Sequence, residues 1–138
     1  MRRRALILMA LLALAGACGG GEIEQPTEEV AEEAFDADDA DTVADYVLVD
    51  YEFRGPTTVK GPNVLFNAEN EGTQDHELEV LDEAGEAVGE VEAFSPGAEA
   101  EPLAAVLEPG TYTIQCILEN EDGKVHKDLG MVATLTVE

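Results

Sequence analysis

The stretch Pro109-Gly-Thr-Tyr-Thr-Ile-Gln-Cys116 carries the clearest fold signal in this 138-residue chain. Pro109-Gly110 favours a turn. After the turn, the apolar residues Tyr112, Ile114 and Cys116 are separated by single polar residues, and this period of two is typical of a half-buried β-strand. The stretch therefore predicts a strand that ends on a cysteine facing the protein core.

The same alternation recurs on both sides of this stretch. It predicts inward faces formed by Val47, Val49, Tyr51 and Phe53, by Val64, Phe66 and Ala68, and by His76, Leu78 and Val80, with further strands around Val88 to Phe94 and from Met131 to Val137. Short strands with turn signals between them, and no convincing long helix, predict an all-β fold, an antiparallel β-sandwich or barrel. We expect one such domain over residues 46–138.

The chain also contains a small set of side chains that suit a soft metal ion. Beyond residue 18 it has one cysteine, Cys116, two histidines, His76 and His126, and one methionine, Met131. Two histidines, a cysteine and a weak thioether form the ligand group of an electron-transfer copper, because thiolate and thioether suit Cu(I) while imidazole suits both oxidation states. The alternation turns His76, Cys116 and Met131 toward the core, and the loop Ile117–Lys127 delivers His126 to them. The sequence therefore predicts a copper site at one end of the sandwich.

Each residue alone has a simpler interpretation. A histidine or methionine on an apolar face usually packs in the core, and a free cysteine usually acts as a small buried hydrophobe. Zinc is the nearest competing metal, with Asp75 or Glu77 as its fourth ligand, but zinc leaves Met131 without a role. Hydrolytic catalysis is poorly supported because Ser95 is the only serine and neither histidine has a recognisable motif relation to it.

Three segments resemble the metal-binding segments of the cupredoxins, the plastocyanin and azurin family of blue copper proteins. They are Gly72–Leu78, Pro109–Cys116 and His126–Met131. The resemblance covers residues 46–138 and implies a Greek-key β-sandwich that holds one type 1 copper ion. It implies His76, Cys116 and His126 as the strong ligands and Met131 as the weak axial ligand.

The resemblance also implies a function. Cupredoxins of this kind carry single electrons, so we expect an electron carrier between extracytoplasmic redox partners and not an enzyme. The exposed edge of His126 is then the expected route for the electron, with Lys124 and Lys127 beside it.

The chain departs from the plastocyanin and azurin pattern at two places. Nine residues separate Cys116 from His126, which is a much longer loop than in those proteins. Glu77 stands where several relatives have an asparagine that braces the site, and Asn67 and Asn70 are the candidates for that task here. The long loop keeps open an alternative function, either non-redox copper binding and delivery or a metal-free lipoprotein interaction module.

The N-terminus predicts export and lipid anchoring. Three arginines, an apolar run and small residues fill positions 1–17, as in a secretory signal peptide. The segment Leu14–Cys18 resembles a bacterial lipobox, so we expect cleavage before Cys18 and lipidation of this residue, although an ordinary secretory signal with a chance cysteine is the simpler alternative. The lipid anchor would hold the protein at the outer face of the cytoplasmic membrane, on its periplasmic or extracellular side.

The chain is strongly acidic. Its formal charge is −24, and removal of the three arginines in residues 1–17 makes it −27. Because the eleven acidic residues between Glu22 and Asp45 have no basic neighbour, residues 18–45 are predicted to form a disordered acidic linker. The charge excludes nucleic acid as a partner, since phosphate binding needs a basic face. It favours redox partners with basic docking surfaces, and we expect a monomer.

Overall fold

The alternating segments form nine β-strands in the computed structural model, which describes residues 34–138. Their bounds are β1 (Thr42–Val49), β2 (Glu52–Arg54), β3 (Thr58–Val59), β4 (Asn63–Asn70), β5 (His76–Leu81), β6 (Ala87–Phe94), β7 (Leu103–Val106), β8 (Gly110–Gln115) and β9 (Val132–Val137). They pair into a four-stranded sheet in the order β2-β1-β4-β7 and a five-stranded sheet in the order β3-β9-β8-β5-β6. The predicted β-sandwich is confirmed.

Both sheets are mixed. β1 runs parallel to β4 and β3 runs parallel to β9, while the other pairings are antiparallel. Alternation alone does not distinguish the two directions, because side chains alternate between the faces of a strand in either kind of pair. The alternation of side chains therefore does not predict which strand pairs are parallel.

The core takes every second side chain from the central strands. Val64 and Phe66 of β4, Leu78 of β5, Ile114 of β8 and Leu135 of β9 are fully buried, as the alternation predicted. These strands carry apolar residues on one face and mostly polar residues on the other, so burying the apolar face fixes their register. The same registers decide which way the candidate ligands point.

β1 begins earlier than the sequence pattern indicated. Residues 42–45 pair with β4, although they fall within the range predicted as linker and before the predicted domain start at residue 46. The carboxylate of Asp45 lies on the exposed side of the strand and accepts a hydrogen bond of 2.8 Å from the amide of Asn67. Its charge therefore stays near water and does not oppose strand pairing.

The register predicted for β1 is wrong by one residue. The buried side chains are Ala44, Tyr46 and Leu48, whereas Val47 and Val49 lie on the other face and are half-buried. Apolar residues occupy both faces of this segment, so its alternation does not indicate which face meets the core. A one-residue error exchanges the two faces of a strand.

The predicted strand through Phe53 is instead a hairpin. β1 ends at Val49, residues 50 and 51 form the turn, and Val49 faces Glu52 across the β1–β2 pair. Two-residue connections of this kind are common between antiparallel strands. The turn places Asp50 and Tyr51 at the end of the sandwich that holds the candidate ligands.

Residues 1–33 lie outside the described part of the chain. The predicted signal peptide, the lipidation of Cys18 and most of the predicted linker therefore fall outside it. Within residues 34–138, no helix has the length and apolar character needed to cross a membrane.

Candidate metal centre

His76 enters the site at the start of β5. Its ring is fully buried, as are Leu78 and Val80, which lie on the same face of the strand. This shared face confirms the orientation predicted from the alternation. The residue before β5 belongs to a loop, so the position of the ring depends on how that loop is held.

Asn70 holds the loop that leads to His76. Its amide nitrogen donates hydrogen bonds of 2.9 Å to the carbonyl oxygens of Gln74 and Phe94, and its side-chain oxygen accepts a hydrogen bond of 2.9 Å from the backbone of Gly72. Asn70 is buried, so these bonds are shielded from water. Of the two asparagines suggested by the sequence, Asn70 is the one that braces this loop, while Asn67 bonds Asp45 on the surface.

Cys116 follows directly after β8 and is fully buried. Its backbone amide donates to the carbonyl of Met131 at 3.2 Å, and its own carbonyl accepts from Lys127 at 2.9 Å. The cysteine is therefore held between the end of one strand and the start of the next.

The long loop after Cys116 forms a small hairpin that projects from the site. The amide of His126 donates to the carbonyl of Leu118 at 2.8 Å, and Glu119 and Val125 form an antiparallel bridge. The additional residues thus lie beyond the base of the hairpin. As a result, the nine-residue separation does not keep His126 away from Cys116.

Asn120 organises the tip of this hairpin. Its side-chain oxygen accepts hydrogen bonds of 3.0 Å from the amides of Asp122 and Lys124. Gly123 completes the turn with a positive φ of 72°, a conformation that glycine adopts without steric cost. Asparagine and glycine at these positions explain how an acidic loop forms a defined turn.

The three strongest candidate ligands converge. Nδ1 of His76 lies 3.2 Å from Nδ1 of His126, and Sγ of Cys116 lies 3.3 Å from the same His126 nitrogen. The three potential ligand atoms all lie within 4.8 Å of one another, and all three residues are buried. In protein metal sites an imidazole nitrogen lies about 2.0 Å from the ion, which separates two such nitrogens by roughly 3.3 Å at a tetrahedral angle. The separation of the two histidine nitrogens fits a shared ion.

Met131 adjoins this cluster through the backbone. Its amide donates to the carbonyl of His126 at 3.1 Å, its carbonyl accepts from Cys116, and the residue is fully buried. His126 begins a short 3-10 helix, His126–Leu129. The helix ends at Gly130, whose φ of 114° lies in the left-handed region, and Met131 follows. The turn therefore returns the chain so that Met131 lies next to both residues.

Asp50 and His76 form a close pair on the outer side of the cluster. Oδ1 of Asp50 lies 2.8 Å from Nε2 of His76. A carboxylate accepts hydrogen bonds, so the imidazole proton belongs on Nε2 and the lone pair on Nδ1. That lone pair faces His126 and Cys116, which is the orientation a metal ligand needs.

The environment keeps Asp50 ionised. Burial acts to raise its pKa, but hydrogen bonds from the Thr73 side chain and backbone, together with the contact to His76, outweigh that effect and lower the pKa to about 2. The Asp50 carboxylate is therefore negatively charged at neutral pH.

Burial has the largest effect on the pKa values of Cys116 and His126. Burial raises the pKa of the Cys116 thiol, and hydrogen bonds from the backbone amides of Glu77 and Leu118 partly offset the increase. Burial and the neighbouring His76 lower the pKa of His126, so its ring is neutral at neutral pH. A bound cation would itself deprotonate a coordinating thiol.

Two carboxylates considered for zinc are not part of the cluster. Within residues 34–138 the cluster around Cys116 contains neither Asp75 nor Glu77. Glu77 is buried, and its carboxylate accepts a hydrogen bond of 2.8 Å from the amide of Ile117. This bond joins the start of β5 to the chain just after the cysteine.

The prediction of an exposed edge on His126 is wrong. The residue is 1% exposed, and Nε2 has no hydrogen-bond partner among the described residues. The ring of Tyr51 packs against it with centroids 5.1 Å apart and an interplanar angle of 66°. The amides of Gln74 and Asn120 contact the tyrosine hydroxyl at 2.9 and 3.3 Å. Tyr51 therefore covers the histidine.

Sequence reasoning missed the residues around the ligands. The alternation predicts one continuous strand through Asp50 and Tyr51, and nothing in the pattern around Gly72 and Thr73 indicates a contact with Asp50. A turn predicted after Val49 would have separated Asp50 and Tyr51 from the strand. Their contact partners are more than twenty residues away in the chain, so no local pattern identifies the pairs.

Comparison with known proteins identifies solved structures with a similar fold. No protein-family model matches the sequence, and no curated protein matches it. Solved structures do match. One is reduced auracyanin from the photosynthetic bacterium Roseiflexus castenholzii, with a TM-score of 0.57 and 16% sequence identity. The match covers 72% of this chain and 98% of the auracyanin chain. Auracyanin B has a TM-score of 0.55 at 16% identity and covers 70% of this chain and 88% of its own.

A third match is auracyanin A, a blue copper protein from the green thermophilic photosynthetic bacterium Chloroflexus aurantiacus. It has a TM-score of 0.53 at 13% identity and covers 70% of this chain and all of its own. At this low identity, the likeness establishes the fold. Residues 34–138 therefore have the fold of the cupredoxins, the family that three sequence segments of this chain resemble.

Proposed function

We propose that this protein is a type 1 copper protein that carries one electron between extracytoplasmic redox partners. The observation that carries the proposal is the convergence of two imidazole nitrogens and one thiol sulfur in a buried site, with 3.2 Å and 3.3 Å between neighbouring atoms. The auracyanin-like fold supports it. Two histidines and a cysteine match the donor set that protein copper sites use for electron transfer.

The chain's residues account for the main requirements of such a site. A copper ion would supply the one-electron change between Cu(I) and Cu(II), held by His76, His126 and Cys116 with Met131 as a weak ligand. The ligands are buried, so water is excluded from the donor atoms. Strand ends, the braced loop before β5 and the base of the hairpin hold the donors in place, which limits rearrangement between oxidation states.

Copper titration tests this proposal. Addition of Cu(II) to the purified metal-free protein should give strong visible absorbance that saturates at one ion per chain and disappears on reduction. A tightly bound but colourless metal would contradict the electron-transfer assignment and favour zinc binding or copper delivery. Absence of binding would favour the metal-free interaction module.

We further propose that the protein is lipid-anchored through Cys18 and docks basic partners. The support is the lipobox-like sequence Leu14–Cys18 and the formal charge of −24. Mass spectrometry of the mature N-terminus should show acylated Cys18. An unmodified N-terminus at another residue would contradict the anchor without affecting the metal site.

A further inference from the structure

The β1–β2 turn brings a carboxylate to the side of His76 that faces away from the cluster. Oδ1 of Asp50 lies 2.8 Å from Nε2, while Nδ1 of the same ring faces His126. The imidazole is fully buried and the Asp50 side chain is 25% exposed. The carboxylate thus reaches the buried ring from the surface and retains part of its hydration.

The loop before β5 holds this carboxylate in place. The backbone amide of Thr73 donates to both Asp50 oxygens at 3.0 and 3.1 Å, and the Thr73 hydroxyl donates to Oδ2. These bonds fix the orientation of the carboxylate toward His76. Asn70 in turn bonds Gln74 and Gly72 on both sides of Thr73. Asn70 therefore holds the loop, and the loop holds Asp50.

The position of Gly72 shows how closely the surrounding chain approaches this pair. A Cβ atom at residue 72 would lie 2.5 Å from Oδ1 of Asp50 and 2.7 Å from Nε2 of His76. No real side chain fits at those distances unless the carboxylate or the ring moves. The chain therefore has glycine where any larger residue would displace the Asp50–His76 contact.

From these contacts we propose that Asp50 is a positioning residue for the metal centre. It keeps the His76 proton on Nε2, directs the Nδ1 lone pair into the cluster, and places a fixed negative charge beside a ligand. This inference rests on the proposed copper function. Carboxylates that accept a hydrogen bond from a ligating histidine fix its orientation and increase its basicity. A more basic ligand and a nearby negative charge both favour Cu(II) over Cu(I).

The central experiment compares Asp50→Asn with Asp45→Asn in the full protein. Both variants remove one carboxylate from the β1 region, but Asp45 bonds Asn67 on the surface and not a candidate ligand. Loss of a residue that supports a metal ligand typically lowers metal affinity about 10- to 100-fold. We expect Asp50→Asn to weaken Cu(II) binding by this factor and Cu(I) binding less, and Asp45→Asn to change neither.

The reduction potential provides a second readout. A tenfold loss confined to Cu(II) corresponds to an increase of about 59 mV for a one-electron couple. Direct electrochemistry of the two variants and the wild type measures it. An Asp50→Asn potential equal to that of Asp45→Asn, in a protein that still binds copper, would overturn the inference and leave the proposed function intact.

The metal-free protein tests the positioning role separately. Long-range ¹H–¹⁵N spectra of the imidazoles should show His76 with its proton on Nε2 in the wild type and a mixture of tautomers in Asp50→Ala, which removes the acceptor that asparagine would retain. A wild-type ring with its proton on Nδ1 would overturn the positioning role whether or not copper binds. Failure of the wild type to bind copper would overturn the proposed function and the charge effect with it.

Thr73 variants keep the inference testable if Asp50→Asn does not fold. Thr73→Val removes the hydroxyl that donates to Asp50, while Thr73→Ser retains it. We expect Thr73→Val to shift the potential in the same direction as Asp50→Asn by a smaller amount, and Thr73→Ser to restore the wild-type value. Equal potentials in the two Thr73 variants would contradict the role of the held carboxylate.

Discussion

At the scale of single residues, Cys116 decides whether the cluster can hold copper. Its sulfur lies 3.3 Å from Nδ1 of His126 and has no access to water. The sulfur is the only thiol among residues 34–138. A soft thiolate is what separates this donor set from an ordinary pair of buried histidines.

Replacing Cys116 by Ser should therefore abolish the visible absorbance and weaken copper binding strongly. The smaller hydroxyl fills most of the same space, so the circular dichroism spectrum of the metal-free protein should stay the same. Cu(II) titration followed by absorbance checks the first expectation. Retention of the full colour in this variant would exclude Cys116 as a ligand.

Met131 has a different role at the same scale. It is fully buried and bonded through its backbone to Cys116 and His126, so its replacement tests the side chain alone. Met131→Leu should retain copper and raise the reduction potential, because loss of a weak thioether ligand leaves Cu(II) less stabilised. Voltammetry measures the shift. A potential that is lower than in the wild type would contradict the axial role.

Gly72 tests how closely the loop must approach. Gly72→Ala places a methyl group where the Asp50–His76 pair now lies, with separations of 2.5 and 2.7 Å. We expect weaker copper binding and a loss of metal-free stability of at least about 1 kcal/mol, since overpacking in a closely packed site costs about 1–3 kcal/mol. Isothermal titration and urea unfolding measure the two effects. Gly110→Ala is a suitable control because its added Cβ would meet only the carbonyl oxygen of Glu108, at 4.0 Å, and Gly110 is not among the glycines with a positive φ.

At the scale of elements, the hairpin after Cys116 shows how a long loop can still return a ligand. Two backbone bonds close its base, so its tip can change without moving His126 directly. The bulk of the hairpin is exposed, whereas Cys116 and His126 at its ends are buried. The additional residues of this loop therefore lie mostly on the surface, while its two buried ends remain close together.

The tip of the hairpin should contribute stability through Asn120. Asn120→Ala removes the acceptor for two exposed amides and also the long, 3.3 Å contact of the Asn120 amide with the Tyr51 hydroxyl, and we expect a loss of about 1 kcal/mol in the free energy of unfolding. The neighbouring exposed Glu121→Gln serves as the control. Urea unfolding measures both variants. A larger loss of copper affinity than of stability would show that Asn120 also supports the site, through its contact with Tyr51.

The strands differ in how much their sequence determined. β5, β8 and β9 have one apolar and one polar face, so burial of the apolar face alone determines where His76, Cys116 and Met131 point. β1 is apolar on both faces, and its register was set by pairing with β4. The apolar alternation of this segment also continues through Phe53, so the pattern does not indicate the turn at Asp50 and Tyr51. Both residues of this turn contact the candidate ligands.

At the scale of the whole molecule, charge dominates the expected behaviour in solution. A formal charge of −24 creates a negative field that accelerates association with basic proteins. Tyr51 packs over His126, so a protein docking at this end of the sandwich would contact the tyrosine before it reached the histidine.

The rate of electron transfer to a basic redox protein should therefore decrease as ionic strength increases. Salt screens exposed charges beyond about 10 Å at 0.1 M, which removes the long-range attraction. Stopped-flow measurements over a series of salt concentrations test this, with an acidic redox protein as the control. For that control the rate should rise with salt, and the same trend with the basic protein would contradict docking by charge.

Local patterns in the chain are sufficient to predict the class of fold, the inward faces of the one-sided strands and the group of candidate ligands. These follow from local alternation and from the scarcity of histidine, cysteine and methionine in the chain. Three features appear only in the folded chain: the nine-residue loop returns His126 to Cys116, Tyr51 covers the histidine, and Asp50 reaches His76. Each of these contacts joins residues far apart in the chain, and their formation depends on strand pairing and packing between the sheets, which no local pattern encodes.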